Sequence, residues 1–110
     1  MIRIATILFA TLLPVAASAQ AFLQDYLHPK DATDRIETYL EGLRDGVASY
    51  NAMTKEKRFC LPEGVVLTDE LAHAAISGWV KKQTPGPAVD NMPTVVALVT
   101  GLEETFPCKK

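Results

Sequence analysis

Three apolar stripes at helical spacing, separated by proline-bearing breaks, constrain this chain more than any other feature of its sequence. The clearest runs over residues 34–53, where Ile36, Leu40, Leu43, Val47 and Tyr50 recur at i, i+4, i+7, i+11 and i+14. That spacing returns each side chain to one face of a helix. Glu37, Glu41, Arg44 and Asp45 fall on the other side, and Asp34 with Glu37 resembles a capping arrangement at the positive helix end. A second stripe holds Ala72, Ala75, Ile76, Trp79 and Val80. Thr68 reads as its N-cap, with Asp69 and Glu70 in the first turn, and the helix is expected to run to about Gln83. The third stripe is Val95, Val99, Leu102 and Phe106, flanked by Leu98, with Pro93 in its first turn and Pro107 at its end.

Between the second and third stripes, Thr84-Pro85-Gly86-Pro87 stops the helix, and a loop runs to about Asn91. Residues 20–30 hold Phe22, Leu23, Tyr26 and Leu27, enough for a short helix that His28-Pro29 ends. Residues 54–67 form a connection. Its basic run Lys55, Lys57 and Arg58 reads as solvated, and Glu63-Gly64 reads as a turn. Val65, Val66 and Leu67 could extend, but no partner strand is visible for them. The expected fold is all-α, a small domain of three to four helices.

Residues 1–19 have a different character. Arg3 is followed by an almost wholly apolar run from Ile4 to Ala17, then Ser18 and Ala19, the plan of a secretory signal peptide. The run is too short for a membrane-spanning anchor, which needs roughly 20 apolar residues. Ala17-Ser18-Ala19 and Ala19-Gln20-Ala21 both satisfy the small-x-small cleavage rule. No cysteine follows the apolar run, so a soluble periplasmic or secreted product is expected rather than a lipid-anchored one. Residues 20–110 then make a single domain of about 90 residues.

A core of that size is marginal by itself. The two cysteines, Cys60 and Cys108, both lie beyond the leader, and export places them in an oxidising compartment. They lack the close ligand pairs of a metal site, so a disulfide closing the domain is expected. A bridge over a loop of this length contributes about 4 kcal/mol in the chain-entropy model.

Without Arg3, ten basic side chains stand against thirteen acidic ones. That balance offers no broad basic face for nucleic acid and no reason for membrane-surface binding once the leader is gone. Neither a Gly-x-Ser-x-Gly, a His-Glu-x-x-His nor a phosphate loop is present, so the chain is expected to be no enzyme and to need no cofactor or metal. His28 reads as a turn residue, His73 as exposed and without a partner, and Trp79 as a core anchor. Gly42 and Gly46 each cost about 1 kcal/mol relative to Ala in a helix interior. With Ser49 they line one flank of the first stripe. Packing inside the chain explains them, and a partner lying close against that flank is the alternative.

Several blocks resemble a known family. Tyr39-Leu40-Glu41-Gly42-Leu43-Arg44-Asp45-Gly46 is similar to the Tyr-x-x-Gly-x-x-Asp stretch of the Rap/Tai family of type VI secretion amidase immunity proteins. Phe59-Cys60-Leu61-Pro62 resembles that family's Phe-Cys-x-Pro block, and Phe106-Pro107-Cys108 its closing Phe-Pro-Cys. The ordered resemblance covers roughly residues 34–110. It implies an all-helical periplasmic protein with a Cys60–Cys108 bridge, often a homodimer, that inhibits a peptidoglycan amidase effector with a protruding segment. The earlier cysteine pair of many relatives is missing here. Gln83-Thr84-Pro85-Gly86-Pro87 stands where they usually carry histidine-proline. A periplasmic chaperone or an accessory binding subunit without an effector partner is the alternative. For partner contact the leading candidate is the loop from Thr84 to Asn91, with Val89, Asp90 and Asn91 as its test residues. Connections carry function more often than core faces, and prolines lower the ordering cost of insertion into a cleft. The basic run Lys55 to Arg58 is the second candidate and would mainly set association rate.

Overall fold

A computed structural model describes residues 21–28 and 33–109. The leader over 1–19 therefore lies outside the described residues, as does the capping side chain of Asp34. The described residues form five helices and no strand: α1 Leu23–Leu27, α2 Thr33–Met53, α3 Asp69–Lys81, α4 Pro87–Asp90 and α5 Thr94–Thr105. Four of these are the expected ones. The additional element, α4, is one turn inside the span that the sequence suggests is an open loop. Pro87 occupies its first position, where the fixed φ of proline suits a helix start and its missing N–H costs nothing.

Helices α3 and α5 pack along each other and form the centre of the domain. Thr68 caps α3 as expected, its Oγ1 accepting from Leu71 N at 3.2 Å. Ala72, Ala75, Ile76 and Trp79 turn inward, so Trp79 is a core residue. The buried face of α5 is Thr94, Ala97, Leu98, Gly101 and Leu102. This corrects the expected stripe: Val95, Val99 and Phe106 are only half-buried, and the true centre lies one flank over. Gly101 supplies the reason. A Cβ there would stand 2.2 Å from Ala75 O and 2.7 Å from Ala75 C, so the two backbones touch across a gap that holds no side chain. The larger residues are displaced to the sides of that contact.

Helix α2 buries Leu40 and lays Ile36, Leu43 and Val47 against the core. Tyr50 does not join them and is 71% exposed. Asn51 takes the inward position at the end of α2. Its Nδ2 donates to Phe59 O at 2.9 Å, and its Oδ1 accepts from Arg58 N at 2.9 Å and Phe59 N at 3.4 Å. A polar residue thereby fixes the connection and seats Phe59 in the core. Lys57 Nζ donates to the carbonyls of Asn51 and Ala52 at 3.0 and 3.2 Å, satisfying open acceptors at the C-terminal end of α2. Pro62 and Val65 then close a turn, Val65 N donating to Pro62 O at 3.0 Å, with Gly64 at a φ of 80° that favours glycine.

The domain closes at two places. Cys60 and Cys108 form a disulfide with 4.9 Å between their Cα atoms, and Cys60 N donates to Phe106 O at 2.8 Å beside it. The connection is thus tied to the end of α5. At the opposite end of α5, residues 21–23 run antiparallel to residues 92–94, and Leu23 is fully buried.

Candidate protein-binding surface

Several polar groups that could carry chemistry are engaged in holding the fold. Among the described residues no three His, Cys, Asp or Glu side chains are placed to hold a metal ion. Arg44 reaches from α2 to Asp69 at the start of α3 and also contacts Asp45. Arg58 pairs with Glu103 at 2.8 Å, and Lys82 with Glu104 at 2.9 Å. Of the basic run, Lys57 and Arg58 are therefore engaged within the chain, and Lys55 is exposed with no ion pair among the described residues.

His28 is exposed at the end of α1. His73 departs from expectation. It is half-buried and stacks on Tyr26, with ring centroids 5.5 Å apart and planes at 25°. The Tyr26 hydroxyl lies 2.6 Å from His73 Nδ1. Burial raises the Tyr26 phenol above its ordinary value of 10.0, and a hydrogen bond from the Ser77 side chain lowers it by less. The pair pins α1 onto α3. The sequence hid it because 47 residues separate the partners.

Two outward surfaces remain. The first is the turn from Thr84 to Asn91. Pro85, Pro87, Ala88 and Asn91 are exposed, and Asp90 is half-buried. Val89 is 9% exposed and belongs to the core, so it anchors the turn and offers little to a partner. The turn is internally bonded: Asp90 N donates to Gly86 O at 3.1 Å, Asn91 N to Pro87 O at 2.9 Å, and Met92 N to Val89 O at 3.1 Å. It is an exposed turn held by its own backbone bonds.

The second surface is the flank of α2 that carries Tyr39, Gly42, Gly46, Tyr50 and Met53. Their spacing of three and four residues places them on one face. Tyr50 is 71% and Met53 85% exposed. Among the described residues, a Cβ at Gly42 or Gly46 would meet nothing within 4 Å. Packing within the chain therefore does not account for these glycines, against the sequence-based expectation. Among the described residues, helix α2 has one apolar stripe facing the core and a second beside it that is exposed at Gly42, Gly46, Tyr50 and Met53.

A small disulfide-closed helical domain with a rigid exposed turn and an uncovered apolar helix flank has the build of a protein that acts by binding other proteins. The model of the Rap1a immunity proteins matches residues 18–108, and the chain belongs to that family. It is accordingly an immunity-type protein, which works by binding a protein effector and is not an enzyme. No curated protein and no solved structure matches it.

Proposed function

We propose that the protein, exported to the periplasm after loss of its leader, binds and inhibits a peptidoglycan amidase effector delivered by type VI secretion. The observation that carries this reading is the turn from Thr84 to Asn91. It is exposed at Pro85, Pro87, Ala88 and Asn91 and is held by its own backbone bonds. It is also anchored through Val89, so little conformational freedom is lost when it enters an enzyme cleft. Ala88, Asp90 and Asn91 are the contacting residues in this reading, and Val89 is the support beneath them. The second surface has a separate role. Gly42 and Gly46 leave a shallow notch between Tyr39 and the Tyr50–Met53 pair, into which the α2 of a second copy packs to form a homodimer.

The test uses an amidase encoded beside this gene and measures peptidoglycan cleavage against added protein. Replacing Asp90 and Asn91 together by alanine, with Ala88→Arg, is expected to abolish inhibition while the thermal midpoint stays within a few degrees. Undiminished inhibition removes the turn from the interface. If the unaltered protein binds no neighbouring amidase, the chaperone or accessory reading takes its place.

A further inference from the structure

We propose that the leader is removed by hydrolysis of the Ala19–Gln20 bond and not of the Ala21–Phe22 bond, because the folded domain depends on the Ala21 carbonyl. The proposal rests on the reading of residues 1–19 as a signal peptide. Both bonds follow a small-x-small triplet, so local sequence does not separate them. The fold does.

The Ala21 carbonyl oxygen accepts two hydrogen bonds from one residue, from Thr94 N at 3.0 Å and from Thr94 Oγ1 at 2.9 Å. Thr94 is 1% exposed. It is also the first residue of α5, where a backbone N–H has no partner inside the helix. Beside this contact Phe22 pairs antiparallel with Pro93, and Leu23 N donates to Met92 O at 2.8 Å. Residues 21–23 are thus the strap that closes the start of α5, and Ala21 is the first of them.

The two cuts differ in what they leave. Water added across the Ala19–Gln20 bond sends an Ala19 carboxylate away with the leader and leaves a new ammonium on Gln20. Ala21 keeps both of its peptide bonds, and its carbonyl stays in place. Water added across the Ala21–Phe22 bond removes Ala21 altogether. The N–H and the hydroxyl of Thr94 then lose the one acceptor they share, and the fold loses the tie between its first described residue and the start of α5. The new Phe22 ammonium does not supply the missing acceptor. Phe22 N already has Asp25 Oδ2 at 3.3 Å, and an ammonium is a donor where Thr94 needs an acceptor.

The experiment has two arms. In the first, the full chain is expressed with its own leader, and the exported product is read by intact mass and N-terminal sequencing. The expected start is Gln20, as the free amine or as the lactam formed when that amine displaces ammonia from its own side-chain amide. A start at Phe22 or later overturns the assignment. A product that retains Met1 overturns the signal-peptide reading instead. In the second arm, chains starting at Gln20 and at Phe22 are exported behind one unrelated leader, each with and without Thr94→Val. The Phe22 chain is expected to melt on the order of 10 °C lower, from the two lost hydrogen bonds of Thr94. Thr94→Val is expected to lower the midpoint of the Gln20 chain and to leave that of the Phe22 chain unchanged or raised, since its hydroxyl is already unpaired. Equal midpoints for the two starts, or equal losses on Thr94→Val, overturn the proposal.

Discussion

Gly101→Ala tests the central contact of the fold. In a free helix this change is favourable by about 1 kcal/mol, because alanine is the better helix former. Here the new methyl would lie 2.2 Å from Ala75 O and 2.7 Å from Ala75 C. Carbon contacts are comfortable at about 3.5 Å, so α5 must back away from α3 by roughly 1 Å. The opposing atoms are backbone and cannot rotate aside. A gap of that size forfeits a quarter to a half of the dispersion energy of each contacting pair along the interface. Overpacked cores lose about 1–3 kcal/mol, and rigid opposition places this one near the upper end. Subtracting the propensity gain leaves a loss of roughly 2 kcal/mol, or a midpoint lower by on the order of 10 °C for a domain of this size. Thermal melts followed by the far-ultraviolet helical signal, with urea titration to confirm an unchanged m-value, measure it. A midpoint equal to or above that of the unaltered protein would refute the close-contact argument.

The other predictions concern the uncovered flank, the bridge and the buried phenol. Gly42→Ala and Gly46→Ala should each stabilise the single chain by about 1 kcal/mol, since nothing stands where their methyls would go. The same changes should weaken self-association, as sedimentation at several concentrations would reveal; a destabilised dilute monomer would count against the open notch. If the proposed export holds, protein isolated from the periplasm should show no free thiol on labelling under denaturing, non-reducing conditions, and Cys60→Ser should cost about 2–5 kcal/mol. Burial holds the folded Tyr26 phenol above 10.0, so the unfolded chain releases that proton first. Its contribution is complete below pH 10 and is lost as pH rises through the folded value, so denaturant midpoints should fall there, and fall less in Tyr26→Phe. An identical alkaline decline in the variant would show that Tyr26 does not cause it.

Much of this molecule could be read from the chain alone. The limits of α2 and α3, the Thr68 cap, the placement of Trp79 in the core and the disulfide all follow from spacing, capping chemistry and the cysteine count. So did the family, because its motifs are short ordered blocks around Gly42, Cys60 and Cys108. These are local properties, or depend on a pairing with no competitor. Tertiary structure decided the rest. It turned α5 by one flank, put Asn51 where Tyr50 was expected, sank Val89 beneath the turn and gave His73 a partner in Tyr26. It also bound Thr94 to Ala21 across 73 residues. Apolar periodicity weighs each side chain by its own affinity for water. It carries no record of how near two backbones come, and at Gly101 and Ala75 that distance selects which side chains are buried and which are pushed aside.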